Sequence, residues 1–399
     1  MSTVVNPPDE ATKSPTRANF IQDFAYTGPD TLAGQYMRRF WQPVHLSRDL
    51  PAGRALPIRI MNEDFTLYRG TTGTAHIVDF RCAHRGTQLS TGTVEDDCIR
   101  CLYHGWMYDE TGQCVEQPAE DENFAAKVRI GGYPTREYLG LIWVYLGPGE
   151  APELRRFKQL EDEGEDGIRL TVGGNPRPFN FVNDLENDPA HVPFVHGGTE
   201  FFTDVPRVRT EETEYGTCET VTTKERGDIG WVHRIFPNAR CFAISLPHGI
   251  WVEFVLWLVP IDDTNHQGFA CVIAHREGGR KNERFVQAMS EWEEQARGRD
   301  EVPGIVERIL RGEMFMDDAP RDADMRSRRM LVQIQDATAQ MGQGVVRDRI
   351  NERLGRSDTG VILLRKVWDR ELRALASGEP LKEWKLPDRF KLDSNYHNG

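Results

Sequence analysis

The chain has 399 residues, of which 39% are hydrophobic, and 49 Lys and Arg against 62 Asp and Glu give a net charge of −13. This length supports two or three domains and excludes a small stapled scaffold. The negative charge disfavours nonspecific binding to nucleic acid or anionic membranes. No run of about 18 apolar residues appears and the polar start has no signal-peptide core, so the sequence predicts a cytoplasmic protein.

The cysteines indicate the redox environment. There are seven of them, an odd number, and they are sparse and scattered along the chain. Extracellular disulfide frameworks are typically dense and even-numbered, so this pattern argues against one.

The first part of the chain is predicted to be a small β domain. Residues 1–17 are rich in Pro, Ser, Thr and charge, which predicts disorder. From residue 18 to residue 149, short β-type runs such as FTLYRG, TAHIVDF and GLIWVYLG alternate with turn signals. The Pro/Gly/Glu stretch at residues 147–152 is the predicted boundary.

The second part, residues 150–399, has a mixed pattern. Strand candidates such as IRLTVGG, ARCFAISL and GIWVEFVLWLVP surround a helix candidate at residues 183–196. Further helices are predicted over residues 282–298, 324–342 and 358–378. A block of strands edged by helices predicts an α+β domain in which helices pack on a curved sheet.

Two Cys-His pairs lie in the first part. Cys82-x-His84 occurs in RCAHRG and Cys101-x-x-His104 in CIRCLYHGW, with sixteen residues between His84 and Cys101. Zinc accepts two thiolates and two imidazoles, and so does a Rieske-type [2Fe-2S] cluster. Ligand types alone leave both centres open. The arrangement favours the cluster, because each loop supplies one Cys and one His, and Cys98 is then predicted to be a strand residue.

A second constellation lies in NDLENDPAHVPFVH, residues 183–196. His191 and His196 are five residues apart, and Asp188 precedes the first by three. On a regular helix the two imidazoles would be offset by about 140°, so one shared metal requires an irregular helix, for which Pro193 provides a cause. Two histidines and one carboxylate form the facial triad of non-haem Fe(II) oxygenases. The alternative is two ordinary histidines in a polar helix.

Together these motifs resemble those of the Rieske non-haem iron oxygenases, the catalytic alpha subunits of aromatic ring-hydroxylating systems. The resemblance covers nearly the whole chain, and VQIQDATAQMGQGVV resembles the phthalate dioxygenase-like branch. In that branch a Gln-Asp on a late helix supplies the carboxylate ligand, which implies Asp336 here. Other carboxylates in a nearby loop compete with it, namely Asp317, Asp318, Asp322 and Asp324.

The resemblance implies an N-terminal antiparallel β Rieske domain and a C-terminal helix-grip catalytic domain. It implies a [2Fe-2S] cluster on Cys82, His84, Cys101 and His104, and a mononuclear non-haem Fe(II) on His191, His196 and Asp336. It also implies that Asp188 accepts a hydrogen bond from His191. Asp188 would then pass electrons from His104 of a neighbouring subunit to the iron in a head-to-tail homotrimer, which can stack as a hexamer.

The implied function is that of a terminal oxygenase using O₂. Its electrons would come from NAD(P)H through a separate reductase of the FMN/[2Fe-2S] type or through a ferredoxin plus reductase. The substrate would be aromatic, in particular an aromatic acid, oxidised by O-demethylation, monooxygenation or ring hydroxylation; a cis-dihydroxylating phthalate-type dioxygenase is the alternative. Arginines suited to a substrate carboxylate are Arg207, Arg209, Arg234 and Arg240. Non-catalytic alternatives are a Rieske electron-transfer protein and a zinc-binding module.

Overall fold

The fold is known from a computed structural model. It describes residues 23–122, 124–161, 167–191, 195–196, 205–224, 227–246, 250–275, 301–319 and 325–392. The predicted disordered start and the predicted helix at residues 282–298 lie outside these ranges. No helix of the described residues is long and apolar enough to cross a membrane.

Within the described first half, eleven strands form three small antiparallel sheets. The strands are β1 Gln42–Leu46, β2 Arg54–Ile60, β3 Glu63–Arg69, β4 Ala75–Asp79, β5 Thr93–Glu95, β6 Cys98–Arg100, β7 Met107–Tyr108, β8 Cys114–Glu116, β9 Gly132–Tyr133, β10 Thr135–Tyr138 and β11 Leu141–Val144. The strand orders are β1-β11-β10, β2-β3-β4-β9 and β5-β6-β7-β8. The predicted small β domain is confirmed, and Cys98 lies on β6 as predicted.

The turns of this half follow from local residue chemistry. Met61 and Asn62 connect β2 to β3, and both have positive φ values, 48° and 69°. Two such residues form the tight turn whose twist matches that of an antiparallel hairpin. Beyond the turn, Phe65 and Leu67 of β3 are buried, 3% and 0% exposed, so one face of this hairpin contributes to the core.

The second half contains one seven-stranded antiparallel sheet. Its strands are β12 Gly167–Gly173, β13 Arg207–Glu212, β14 Gly216–Thr223, β15 Gly227–Ile235, β16 Ala239–Leu246, β17 Ile250–Pro260 and β18 His266–His275. They run in the order β12-β18-β17-β16-β15-β14-β13, so the last six strands follow one another as a meander and β12 closes the far edge. The predicted α+β architecture is confirmed.

Helices pack on both halves. Those described are α1 Leu32–Met37, α2 Lys158–Glu161, α3 Phe181–Leu185, α4 Glu301–Leu310, α5 Met325–Gly342 and α6 Thr359–Ser377. The long helix α6 lies against β13, β14 and α1, while α3 lies against β17 and α5. Trp368 of α6 is fully buried against Phe24 and Tyr36, with ring centroids 5.6 and 5.4 Å away.

The helix predicted over residues 183–196 was wrong in its extent. Helix α3 ends at Leu185, and a separate 3₁₀ turn spans Pro189–His191. Pro189 explains the interruption, because a proline lacks the amide donor that a continuing helix needs and disfavours a helical residue before it.

Candidate metal centres

The two Cys-His loops share one local structure. The Cys82 amide donates to the Thr87 carbonyl (2.9 Å), and the Cys101 amide donates to the Trp106 carbonyl (2.8 Å). Each cysteine carbonyl in turn accepts from a glycine amide, Gly86 at 2.9 Å and Gly105 at 3.1 Å. Both glycines have φ near +75° (74° and 75°), a region that favours glycine, so each loop can fold back over its own cysteine.

The four predicted ligands form two like pairs. Cys82 and Cys101 are both 3% exposed, and the Cys101 thiol is close enough to raise the pKa of the Cys82 thiol. The His84 and His104 rings have centroids 4.5 Å apart, and His84 stacks on Trp106 at 4.6 Å. Burial raises the pKa of the Cys82 thiol, partly offset by its contact with the Tyr108 hydroxyl. Thiols thus face each other, and imidazoles face each other.

This pairing fits a two-iron cluster better than one zinc ion. No three of these four described side chains place donor atoms within 4.8 Å of one another. A tetrahedral zinc with bonds of about 2.0–2.3 Å would hold all four donors within about 4 Å of one another. A Rieske cluster instead takes both thiolates on one iron and both imidazoles on the other. His84 Nδ1 is buried without a hydrogen-bond partner among the described residues, as expected of a metal donor. All seven cysteines are free in the structure.

The second constellation converges on a single point. His191 Nε2 and His196 Nε2 are 3.2 Å apart, and Asp336 Oδ1 lies 3.2 Å from the first and 3.1 Å from the second. His191 ends the 3₁₀ turn, whereas Asp336 lies on α5, so the site joins two segments distant in sequence. These three form a group of side chains that can hold one metal ion.

The hydrogen bonds at the Nδ1 atoms of both histidines orient the two rings for binding a cation. His196 Nδ1 donates to Gln335 Oε1 (2.9 Å), and His191 Nδ1 donates to the main-chain carbonyl of Asp188 (2.5 Å). In the neutral tautomers that result, both Nε2 atoms carry lone pairs directed at the Asp336 carboxylate. Three acceptors at this distance repel one another unless a proton or a metal ion lies between them. The donor set of two imidazoles and one carboxylate therefore fits non-haem Fe(II).

The pKa values reflect the same arrangement. Burial raises the pKa of Asp336, but contacts with His191 and His196 outweigh it and lower the value to about 2. Burial lowers the pKa of His196, but its contact with Asp336 outweighs this and raises it. Both shifts favour a negatively charged Asp336 next to a positive charge. A divalent cation bound at this point would supply that positive charge.

His191 bonds to Asp188 as predicted, but the predicted acceptor, the Asp188 carboxylate, is wrong. The main-chain carbonyl of Asp188 accepts that bond, while its carboxylate Oδ1 accepts from the Ala190 amide at 2.8 Å. An aspartate that bonds to the backbone two residues on forms an Asx turn, and this turn starts the 3₁₀ segment. The Asp188 side chain is half-buried, and its role as an electron bridge stays a prediction.

Several other sequence candidates are exposed or lie outside the described residues. Asp317 and Asp318 are exposed on a 3₁₀ turn, and Asp318 caps that turn. Asp322 and Asp324 lie outside the described residues. Arg207 and Arg209 are exposed on the edge strand β13.

Two residues near the site were missed or misjudged from sequence. Gln335 was not expected to orient His196, because adjacent residues on a helix point about 100° apart and only the tertiary contact reveals the bond. Arg234 was a candidate for binding substrate, but it is 1% exposed and pairs with Glu219. A buried ion pair is not visible in a sequence.

Comparisons with known proteins identify relatives of this chain. The Rieske [2Fe-2S] domain family matches residues 40–135. The chain is 29% identical over 377 residues to the 5,5'-dehydrodivanillate O-demethylase oxygenase subunit of Sphingobium sp. (strain NBRC 103272 / SYK-6), covering 90% of this chain and 81% of that protein. It is 31% identical over 378 residues to the phenoxybenzoate dioxygenase subunit alpha of Ectopseudomonas oleovorans, covering 87% of this chain and 83% of that protein.

A solved structure shows the same fold. It is the reduced complex between oxygenase and ferredoxin in carbazole 1,9a-dioxygenase, with a TM-score of 0.61 and 18% identity, covering 92% of this chain and 93% of that chain.

Proposed function

Because this chain belongs to the Rieske non-haem iron oxygenases, the catalytic alpha subunits of aromatic ring-hydroxylating systems, we propose that it is the terminal oxygenase for an aromatic carboxylic acid. A Rieske cluster and a mononuclear iron are the cofactors of this family, and the two relatives described above are named for aromatic compounds. The observation that carries the proposal is the convergence of His191, His196 and Asp336 on one point. Such a triad leaves coordination positions open.

We assign a role to each part of the chain. Residues 18–149 form the electron-input domain, with the cluster on Cys82, His84, Cys101 and His104. Residues 150–399 form the catalytic domain, with His191, His196 and Asp336 as iron ligands. When bound, the cluster supplies single electrons and the mononuclear iron supplies O₂ activation. Gln335 and the Asp188 carbonyl keep both imidazole rings oriented with Nε2 toward the metal position.

The names of the relatives support an acidic substrate. One relative is named for a dehydrodivanillate and the other for a phenoxybenzoate, and both compounds are aromatic carboxylates. The chain has a guanidinium suited to such a group. Arg240 of β16 is 8% exposed, its Nη1 lies 3.5 Å from Asp184 Oδ1, and its Nε has no hydrogen-bond partner among the described residues. A substrate carboxylate would satisfy this donor.

The proposed reaction is O-demethylation or monooxygenation, or else ring hydroxylation. In monooxygenation one oxygen atom of O₂ enters the substrate, and the other leaves as water with a pair of electrons and two protons. Hydroxylation of an O-methyl carbon gives a hemiacetal that breaks to a phenol and formaldehyde. In cis-dihydroxylation, the alternative, both oxygen atoms enter the ring and the same electrons and protons complete the diol. The electrons come from a separate NAD(P)H-dependent reductase or ferredoxin.

We also propose the head-to-tail homotrimer. Its support is the exposure of the loop that carries His104, where Leu102 and Tyr103 are 69% and 58% exposed. Large apolar side chains at the tip of a loop suit contact with another protein surface. In a closed ring of identical contacts, the tip of each copy meets the Asp188 surface of the next.

The substrate class is tested with purified protein, a generic reductase, NADH and O₂. Methoxybenzoates, phthalates and biaryl acids serve as substrates, and the methyl ester of each acid serves as its matched control. We expect an acid to be oxidised at least about 100-fold more efficiently than its ester, because the ester offers no charged acceptor to the buried Arg240 Nε. Formaldehyde identifies demethylation, and a cis-diol identifies dihydroxylation. Equal turnover of acid and ester would contradict the proposed class.

The metal assignment is tested by counting iron. The wild-type protein should hold about three irons per chain, two in the cluster and one in the mononuclear site. His191→Ala should lose the single iron, keep the cluster absorption and lose product formation. Three irons in the variant would refute His191 as a ligand. Two irons in the wild type would instead favour an electron-transfer protein.

A further inference from the structure

A buried carboxylate lies just before the proposed iron ligands. Glu186 follows the last residue of α3, and its side chain is 1% exposed. Arg365 donates two hydrogen bonds to this carboxylate, from Nε to Oε1 at 2.6 Å and from Nη2 to Oε2 at 2.9 Å. Arg349 Nε donates to Oε2 at 3.2 Å, and Arg347 Nη1 lies 3.6 Å from the same oxygen. A buried carboxylate is stable only with such partners.

These arginines belong to the chain that follows α5, the helix that carries Asp336. Arg349 Nη2 also donates to Asn183 Oδ1 at 3.4 Å. The Asn183 amide in turn donates to the main-chain carbonyls of Gln340 (3.2 Å) and Gly344 (2.9 Å). Gln340 is about one helical turn beyond Asp336 on the same helix. The segment before His191 and the end of the Asp336 helix therefore share one hydrogen-bonded network.

The same segment is also held from the sheet. Arg234 of β15 donates from Nε to the Leu185 carbonyl (3.1 Å) and from Nη2 to the Asn187 carbonyl (3.2 Å). These two carbonyls flank Glu186. The sheet thus fixes the main chain on either side of Glu186, while the Glu186 side chain fixes that main chain to the segment after α5.

We infer that Glu186 is a positioning residue for the mononuclear iron site. It joins residues 186–191, the histidine segment that leads to His191, to the segment after the Asp336 helix, and so sets the distance between His191 and Asp336. The inference rests on the proposed function of these residues as iron ligands. Glu186 does not touch the metal position itself. Its effect arises because metal affinity depends on ligand placement, which outer contacts control.

The chain provides a matched control in Glu352. This carboxylate is half-buried, with a side chain only 10% exposed, and accepts from two of the same arginines: from Arg365 Nη1 at 2.5 Å and from Arg347 Nε. It lies on neither segment that carries an iron ligand. Glu186→Gln and Glu352→Gln each remove one negative charge from one guanidinium cluster, but only the first removes the link to the histidine segment.

The experiment titrates Fe(II) into protein from which a chelator has removed the mononuclear iron while the cluster remains. We expect Glu186→Gln to bind this iron about 10- to 100-fold more weakly than wild type, with the cluster absorption unchanged. Glu352→Gln should lose a similar number of degrees in Tm and keep the wild-type iron affinity. Wild-type affinity in Glu186→Gln, or an equal loss in both variants, would overturn the inference.

Glu186→Asp provides a second test in case Glu186→Gln does not fold. It keeps the charge among the arginines but shortens the link by one methylene, so we expect a folded protein with at least about 10-fold weaker iron binding. Unchanged affinity in this variant would also overturn the inference. Failure of wild-type protein to bind a third iron would instead refute the proposed function, so the two failures are distinguishable.

Discussion

The two proposed cysteine ligands of the cluster differ in one hydrogen bond. The Tyr108 hydroxyl lies 3.2 Å from Cys82 Sγ, and the Ala83 amide donates to the same hydroxyl oxygen at 3.1 Å. Because that oxygen accepts from Ala83, its proton is directed toward the sulfur. A hydrogen bond to a cluster sulfur favours the reduced, more negative state, so Tyr108 should raise the reduction potential.

We predict that Tyr108→Phe lowers the reduction potential of the cluster. If the lost bond favours the reduced state by about 1 kcal/mol, the potential falls by about 40 mV, since 59 mV is tenfold for one electron. Potentiometric titration followed by optical spectroscopy measures it. Tyr133→Phe is the control, because the Tyr133 hydroxyl donates to Asp79 (2.8 Å). A potential equal to that of wild type in Tyr108→Phe would contradict the predicted effect.

Among the elements, the start of α6 packs unusually closely on the sheet. A Cβ added at Gly360 would lie 2.2 Å from Glu219 Oε2, well inside van der Waals contact. Glu219 is the buried partner of Arg234, which holds the main chain beside Glu186. The absence of a side chain at Gly360 therefore allows helix, ion pair and histidine segment to pack together.

Gly360→Ala should destabilise the protein, although alanine is the better helix former. Helix propensity alone would add about 0.5–1 kcal/mol, but overpacking against Glu219 should cost about 1–3 kcal/mol. Gly304→Ala in α4 is the matched control, because a Cβ there meets nothing within 4 Å, and it should raise Tm slightly. Thermal unfolding of both variants measures the effect. A higher Tm for both would show that Glu219 moves aside without cost.

At the scale of the whole molecule, the C-terminal segment joins distant parts of the chain. The Trp384 indole donates to the Tyr36 hydroxyl of α1 (2.8 Å), and the Phe390 amide donates to Gln159 of α2 (2.8 Å). His233 of β15 is 2% exposed, and its Nε2 donates to the Lys391 carbonyl at 2.6 Å. Its Nδ1 accepts from the Tyr215 hydroxyl at 2.7 Å. This is the bonding of a neutral imidazole, the form that burial favours by lowering the pKa of His233.

His233 should contribute to loss of stability in acid. Burial lowers its pKa in the folded protein to about 4, whereas an exposed histidine has a pKa of about 6.5. Between these values the unfolded chain binds a proton that the folded protein does not, so stability falls as pH falls. From pH 7.5 to pH 5 the loss is roughly 2 kcal/mol. Urea denaturation of wild type and His233→Gln at both pH values checks this, and equal pH dependence would contradict it.

The proposed trimer gives Asp188 an effect that a single chain cannot show. Asp188→Asn keeps an oxygen acceptor for the Ala190 amide, so the turn and both metal sites should persist. Removal of the charged bridge between subunits should nevertheless lower NADH-coupled product formation by at least about 100-fold. Stopped-flow measurement of cluster reoxidation locates the slow step. Normal product formation in this variant would contradict the bridge.

The candidate ligands were predictable because metal sites constrain residue type and spacing. Cys82, His84, Cys101 and His104 lie on two short loops whose ligand pairs are close in sequence, so a local pattern identified them. Asp336 required the family resemblance, since no local rule connects it to His191. The extent of the helix at residues 183–196 was wrong because its periodic pattern continued through the 3₁₀ turn that includes Pro189.

The sequence by itself determined the β and α+β halves and the local Cys and His motifs of both proposed metal sites, because these depend on composition, periodicity and spacing. The tertiary structure alone decided which atom of Asp188 meets His191, that Gln335 orients His196, and that Arg234 and Arg240 form buried pairs rather than exposed ones. It also decided the hydrogen bonds to Glu186, whose arginine partners lie more than 160 residues later in the chain. Such contacts depend on how distant segments pack, and no local pattern encodes that distance.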